Sequence, residues 1–143
     1  MRWVIPALVL CLGLWSGPAN QASAAEETPT HLDGVTIVTP DQLRSMLAQG
    51  ISVYDLRKTA SYVDRHVPRS KPAACYYTAT HTTPESLEIG PNKSDRIVFY
   101  SHGTTGWKSY WAARRAVEAG YSNVMWMRGG FAEWDAGEHP VAR

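Results

Sequence analysis

The sequence predicts a single α/β domain with a mainly parallel central sheet and helices on both of its faces. The chain has 143 residues, a length that supports one compact domain better than two. Short runs rich in β-branched and aromatic residues alternate with segments of helical periodicity, which is the order typical of a parallel sheet. The run Arg96–Tyr100 is almost continuously apolar, as strands buried on both faces are.

Composition narrows the class of protein. Hydrophobic residues make up 44% of the chain and charged residues 19%, which is ordinary globular usage and excludes disorder, collagen and a coiled coil. The formal net charge of +1 gives no electrostatic reason to expect nucleic-acid binding. The two cysteines, Cys11 and Cys75, are too few for a disulfide framework or a cysteine-rich zinc site.

The N-terminus has the layout of a secretory signal peptide. The basic Arg2 precedes an apolar run, Trp3–Trp15, and small residues follow up to Ala22–Ala24. This run is shorter than the about 20 residues that a confident membrane span needs, although an uncleaved anchor stays an alternative. We therefore expect residues 1–24 to be removed and the mature protein to be periplasmic or secreted. Cys75 would then be its only thiol, which we expect to be buried and inert.

The mature chain begins with a polar stretch and then shows clear element signals. Residues 25–34 are polar and contain a proline, so we expect a flexible leader. The β-branched run Val35–Val38 predicts a strand. Thr39 is the expected N-cap of a helix and Pro40 its first residue. The apolar stripe of this helix and its stop signal are Leu43, Met46, Leu47 and Gly50.

The middle of the chain predicts shorter elements. Ile51–Tyr54 has the apolar and aromatic composition of a strand. A short helix is expected at Thr59–Val63, because the prolines of Pro68–Pro72 cannot continue one. Ala73–Tyr77 predicts a weak strand. The Thr-Pro-Glu start of residues Thr83–Ile89 predicts another short helix.

The C-terminal part repeats the strand–helix order. Glycines mark the expected loop, the helix end and the last turn. The predicted elements are a strand at Arg96–Tyr100, a loop at Ser101–Gly106, a helix at Trp107–Ala119 that stops at Gly120, a strand at Ser122–Trp126, a turn at Gly129–Gly130 and a helix at Phe131–Ala136.

The loop after the central strand is the first candidate for function. In parallel sheets, ligands bind beyond the carboxyl ends of the strands, which is where this loop lies. Its two glycines allow a tight curl, and the helix that follows offers unpaired backbone N–H groups and a positive end. The sequence therefore predicts an anion cradle that opens at Ser101 and continues with the binding residues His102, Gly103, Thr104, Thr105, Gly106 and Trp107.

Several short motifs, taken in order, resemble the rhodanese family. Asp55-Leu56-Arg57, Tyr62 and His66-Val67-Pro68 resemble its Asp-x-Arg strand end, tyrosine and His-Ile-Pro-Gly-Ala turn, with Arg69 and Ser70 where Gly and Ala are usual. The C-terminal matches are Ala112-Ala113, Ala119-Gly120-Tyr121, Asn123-Val124 and Arg128-Gly129-Gly130-Phe131-x-x-Trp134. The loop is most similar to an exported bacterial branch that reads Tyr-Cys-x-Gly-x-x-Cys-Trp-x-Ser. The resemblance implies a single rhodanese-like domain over residues 35–143.

The loop departs from the family at the positions that matter for sulfur transfer. The resemblance implies a persulfide-carrying cysteine where this chain has Ser101, and a second cysteine at Gly106. A serine hydroxyl is a weak nucleophile without a general base and holds no stable persulfide. We expect the adjacent side chains of Ser101 and His102 to diverge, and no Ser-His-Asp triad is legible. A Cys-x5-Arg phosphatase motif fails at Ser101 and at Trp107.

Two functions from different classes remain open. The first is a catalytically degenerate, exported module that binds a small anion, a sulfur compound or a periplasmic protein partner, with Asp55, Arg57 and Lys108 flanking the loop. Asp55 and Arg57 have a second, purely structural interpretation as an ion pair. The alternative function is an active thiosulfate sulfurtransferase that uses Cys75 or is a Cys-to-Ser variant of such an enzyme.

Other partners are not expected. The histidines His31, His81 and His139 share no ligand spacing, so no metal site is predicted. No cofactor is expected either. We predict no nucleic-acid binding, and no membrane association once the signal peptide has been cleaved.

Overall fold

The computed structural model describes residues 23–73 and 89–143. Strands and helices alternate along them, and the predicted α/β class is confirmed. The elements are β1 (Val35–Ile37), α1 (Pro40–Leu47), β2 (Ser52–Asp55), α2 (Thr59–Asp64), β3 (Lys71–Pro72), β4 (Ile97–Tyr100), α3 (Trp107–Glu118), β5 (Val124–Met127) and α4 (Gly130–Ala136).

The five strands form one parallel sheet in the order β1-β5-β4-β2-β3. The register places Tyr54 of β2 beside Phe99 of β4, and Phe99 beside Trp126 of β5. Because the strands are parallel and in step, the segments that leave β2, β4 and β5 start at the same edge of the sheet. That edge is where the fold gathers polar residues from distant parts of the sequence.

Side chains alternate between the two faces of the sheet, and each face has its own apolar cluster. On one face, Phe99 and Trp126 pack with the small residues Ala112, Ala113 and Ala116 of α3. On the other, Val98 and Tyr100 pack with Leu43 of α1 and with Phe131 and Trp134 of α4. Each large side chain buried in this way contributes about 1.5–3 kcal/mol by leaving water. The predicted helices on both faces are therefore confirmed.

The start of α1 follows the sequence signal closely. Thr39 is its N-cap, and the hydroxyl of Thr39 accepts a hydrogen bond from the N–H of Gln42 at 3.3 Å. The Gln42 side chain accepts one from the N–H of Thr39 at 2.8 Å, which completes a capping box. Gly50, the predicted stop, has a φ of +74°, a conformation that suits glycine.

Two strands differ from the prediction. The last strand starts at Val124 rather than at Ser122, because Ser122 and Asn123 hydrogen-bond to the turn at Lys93–Ser94. The third strand is Lys71–Pro72 at the sheet edge, and the N–H of Ala73 donates to the carbonyl of Asp55 at 2.8 Å.

Some predictions fall outside the described residues. These are the signal peptide up to residue 22, residues 74–77 of the weak strand, Cys75 itself, and residues 83–88 of the short helix. Within residues 23–73 and 89–143, no helix is long and apolar enough to cross a membrane.

Residues 25–34, the predicted leader, contact the sheet edge at Thr28. Thr28 is only 2% exposed, and its N–H and hydroxyl both donate to the carbonyl of Thr104, at 2.9 and 2.7 Å. This part of the leader therefore hydrogen-bonds to the loop after β4.

Candidate anion-binding loop

The loop Ser101–Gly106 leaves β4 and runs directly into α3. The N–H of Gly106 donates to the carbonyl of Gly103 at 2.8 Å, which closes a tight turn around Thr104 and Thr105. In the described parts of the chain, the N–H groups of residues 102–105 donate to no protein acceptor. Consecutive free amides on one curved loop are the donors that an oxyanion uses.

Helix α4 holds the loop from one side. The N–H of Phe131 donates to the carbonyl of Ser101, and the N–H of Ala132 donates to that of His102, both at 2.8 Å. Gly130 lies against the same backbone, because a Cβ on Gly130 would be 2.5 Å from the carbonyl oxygen of Ser101. Gly130 also has a φ of +60°. Only glycine combines this conformation with this close approach.

The interior of the loop has room for one side chain. Ser101 is 1% exposed. A Cβ on Gly106 would lie 2.8 Å from the Cβ of Ser101 and 2.8 Å from the carbonyl oxygen of Gly103. Disulfide-bonded cysteines keep their Cβ atoms about 3.5–4.5 Å apart. The loop is thus closed more tightly than a cysteine pair at these two positions would allow.

Ser101 and His102 do not diverge, contrary to the prediction. The loop turns back on itself after Ser101, so that Oγ of Ser101 lies 3.3 Å from Nδ1 of His102. The other ring nitrogen, Nε2, lies 3.4 Å from Oγ1 of Thr105. Among residues 23–73 and 89–143, His102 thus contacts two hydroxyls and no carboxylate, so the pair lacks the third member of a triad.

Positive charge surrounds His102. Burial holds the pKa of His102 below its ordinary value, and the nearby cations Lys108 and Arg57 lower it further. His102 is therefore neutral at neutral pH. Lys108 lies in the first turn of α3, and Arg57 lies just after the end of β2.

Asp55 and Arg57 form a buried ion pair, as their structural interpretation requires. Asp55 is fully buried, and Nη2 of Arg57 donates to its Oδ2 at 2.7 Å while Nε donates to its Oδ1 at 3.0 Å. The hydroxyl of Tyr100 also donates to Asp55. Burial alone would lower the pKa of Arg57, but the Asp55 carboxylate raises it above its ordinary value. Burial and the same carboxylate raise the pKa of Tyr100.

The ion pair of Asp55 and Arg57 is connected to the loop indirectly, through Phe131 of α4. The guanidinium carbon of Arg57 lies 4.0 Å from the centre of the Phe131 ring. Phe131 in turn donates its N–H to Ser101. Arg57 therefore supports the element that holds the loop, in addition to lying near His102.

Hydrogen bonds of Arg128 and Glu27, which lie outside the predicted site, join the N-terminal segment to this edge of the sheet. Arg128, at the end of β5, donates to the carbonyls of Thr28 and Pro29 and to the carboxylate of Glu27. Glu27 accepts from the hydroxyl of Thr104 at 3.0 Å. Arg128 stood out only as part of a family motif, and no sequence signal marked Glu27, since a polar stretch with a proline is typical of a linker.

A cleft of about 580 Å³ opens beside the loop. It lies between the carboxyl ends of β1 and β5 and the start of α4. Its lining residues are Thr30, Ile37, Val38, Thr39, Gly103, Thr104, Arg128, Gly129, Ala132 and Glu133. A ligand bound at the loop has space on this side.

Comparison with known proteins identifies the family. Residues 39–137 match the family described as Rhodanese-like domain. The chain belongs to the rhodanese-like family. Thiosulfate sulfurtransferase GlpE of Haemophilus influenzae is 30% identical over 104 residues, which cover 73% of this chain and 91% of the relative. The resemblance read from the motifs is therefore confirmed, and the chain is a homologue of sulfurtransferases.

Solved structures agree on the rhodanese-like fold. The Alr3790 protein from Anabaena sp. is 23% identical, with a TM-score of 0.57, over 73% of this chain and 90% of that one. The polysulfide-sulfur transferase homodimer from Wolinella succinogenes is 14% identical, with a TM-score of 0.57, over 76% of this chain and 79% of that one. At these identities the similarity concerns the fold alone.

Proposed function

We propose that this rhodanese-like chain is an exported module that binds a small anion or sulfur compound and lacks ordinary sulfurtransferase turnover. The observation that carries the proposal is Ser101, at the position where the resemblance implies the persulfide cysteine, in a loop where the N–H groups of residues 102–105 donate to no acceptor among the described residues. Export rests on the signal-peptide layout of residues 1–24.

The chemistry of Ser101 argues against covalent turnover. A thiolate is nucleophilic near neutral pH, whereas a hydroxyl needs a general base to remove its proton. Neutral His102 is close enough to Ser101 to accept that proton, but no carboxylate supports its second nitrogen in the described parts of the chain.

Anion binding needs none of these groups. The N–H groups of residues 102–105, which have no acceptor within residues 23–73 and 89–143, can donate to oxygen or sulfur atoms of an anion. Lys108 and Arg57 add positive potential, which the lowered pKa of His102 reports. These two features favour a small anion over an extended protein segment as the ligand of the loop.

The test is a thiosulfate-to-cyanide sulfur-transfer assay on the mature chain, with wild type, Ser101→Cys and Cys75→Ser side by side. In Ser101→Cys, the thiolate attacks the outer sulfur of thiosulfate and sulfite leaves with the bonding electrons. Cyanide then takes the sulfur as thiocyanate, which restores the thiolate. Wild type should be silent and Ser101→Cys should gain activity. A matched control, Ser45→Cys on the exposed side of α1, should gain none.

Thiosulfate binding to the wild type is measured alongside by titration calorimetry. Binding without turnover supports the proposal. If wild type makes thiocyanate and Cys75→Ser abolishes it, the protein is an enzyme with a relocated thiol and the proposal is wrong. If neither binding nor a gain of activity in Ser101→Cys is found, the loop is not an anion site.

A further inference from the structure

Four residues of the N-terminal segment, Glu26–Pro29, run across the outside of the loop; we refer to them as the strap. The strap reaches the loop at several points. The carbonyl of Glu26 accepts from the indole N–H of Trp107 at 3.0 Å, and Thr28 donates twice to the carbonyl of Thr104. Thr28 is 76 residues away from Thr104 in sequence, so these are tertiary contacts and no local turn explains them.

Arg128 fastens the strap to the sheet. Its guanidinium donates to the carbonyl of Thr28 at 2.6 Å, to that of Pro29 at 3.0 Å and to the Glu27 carboxylate at 3.2 Å. Hydrogen bonds from Thr104 and Arg128 lower the pKa of Glu27, so its carboxylate is charged at neutral pH. The strap is thus bound to the end of β5 as well as to the loop.

The double hydrogen bond from Thr28 fixes the direction of one peptide group. In a trans peptide the C=O and the following N–H point in opposite directions. The two donors of Thr28 hold the carbonyl of Thr104 toward the strap, at 2.7 and 2.9 Å. The N–H of Thr105 consequently points away from the strap, and it is one of the donors without a protein acceptor in the described residues.

We propose that the strap is part of the anion-binding site and that Thr28 is a positioning residue, which orients the Thr104–Thr105 peptide so that its N–H can bind the anion. This inference rests on the proposed anion binding. It assigns a role to the segment that follows the expected signal-peptide cleavage position, and it explains why Thr28 is buried in an otherwise exposed polar stretch.

The test compares Thr28→Val, Thr28→Ser and Thr36→Val in the mature chain. Valine keeps the shape of Thr28 and removes its hydroxyl donor, whereas serine keeps the donor. Thr36 is an exposed threonine on β1 and does not line the cleft beside the loop. We expect Thr28→Val to weaken thiosulfate binding by up to about tenfold, the effect of losing one hydrogen bond. Thr28→Ser and Thr36→Val should bind as wild type does.

A second readout follows the loop without ligand. In ¹⁵N NMR spectra, the Thr105 amide and the Trp107 indole N–H should shift in Thr28→Val and return in Thr28→Ser. If these resonances shift while thiosulfate affinity is unchanged, Thr28 holds the strap but does not position a binding group, and the inference is overturned. If wild type itself binds no thiosulfate, the proposed function fails, and the site role of the strap fails with it.

Discussion

The carboxyl ends of β2 and β4 lie side by side at one edge of the sheet, but the polar groups at these two ends differ in their hydrogen bonding. At the end of β2, the Asp55 carboxylate accepts from Arg57 and from Tyr100 and is fully buried. At the end of β4, the N–H groups of residues 102–105 have no protein acceptor among the described residues. One end uses its hydrogen-bonding capacity within the protein, and the other keeps it available.

The difference shows that residue type alone does not identify a site. A carboxylate and a guanidinium at a strand end look like a binding pair in the sequence, but here they mainly bind each other. The loop of hydroxyls and glycines carries less obvious chemistry, but it presents N–H donors that no acceptor in the described part of the chain uses. We therefore expect changes at β2 to alter stability first, and changes at β4 to alter binding first.

The largest effect should come from Asp55→Asn. It leaves the buried Arg57 cation without its counter-charge, which typically costs about 3–5 kcal/mol of unfolding free energy. The measurement is chemical denaturation followed by circular dichroism. Arg114→Met is the control, because it removes the exposed i,i+4 pair with Glu118 and should cost no more than about 0.5 kcal/mol. Equal stabilities for Asp55→Asn and wild type would show that the β2 end is not structural.

The second-largest effect should distinguish Gly106 from Gly103, the two glycines of the loop. In Gly106→Ala, the new methyl group would lie 2.8 Å from the carbonyl oxygen of Gly103, so the loop must move. We expect the free energy of unfolding to fall by about 1–3 kcal/mol. We also expect most of the thiosulfate affinity to be lost. In Gly103→Ala, the nearest atom would be the Ala132 Cβ at 3.6 Å, an ordinary contact. Calorimetry on both variants checks this. Similar affinities for the two would show that loop shape does not govern binding.

The smallest effect is a pH dependence of binding. The pKa of His102 is held low by burial and by Lys108 and Arg57, and a bound anion would raise it. Binding then takes up a proton, so thiosulfate affinity should increase a few-fold as the pH falls below the ordinary histidine pKa of about 6.5. His102→Gln should remove this dependence. An affinity that falls with acid in wild type would place the anion away from His102.

The same histidine has the opposite effect on stability in the absence of ligand. Because its pKa is lower in the folded chain than in the unfolded chain, the unfolded chain binds the proton more tightly. The contribution of His102 to the free energy of unfolding is fully present above the ordinary histidine pKa. It is lost as the pH falls from that value through the lower pKa of the folded chain. Acid should therefore weaken the free protein while it strengthens the complex.

Sequence patterns predicted the sheet and its helices because these depend on local periodicity and capping, as the Thr39 capping box illustrates. They failed where a contact joins distant segments. The strap contains a proline and charged residues, which are typical of a linker, and its partner Thr104 is 76 residues from Thr28. The two glycines of the loop predict a tight curl, but they do not predict that the curl brings Ser101 to His102, because this also depends on backbone hydrogen bonds to α4.

The close contact between Gly106 and Ser101 also bears on how this loop could change over time. The substitution Ser101→Cys would introduce a thiol at a position where the loop already holds a side chain. A second cysteine at Gly106 would be only 2.8 Å, Cβ to Cβ, from the first position, so the backbone would have to open before both could be present. A single thiol in this loop thus needs one substitution, whereas a pair of thiols also needs a change in the backbone.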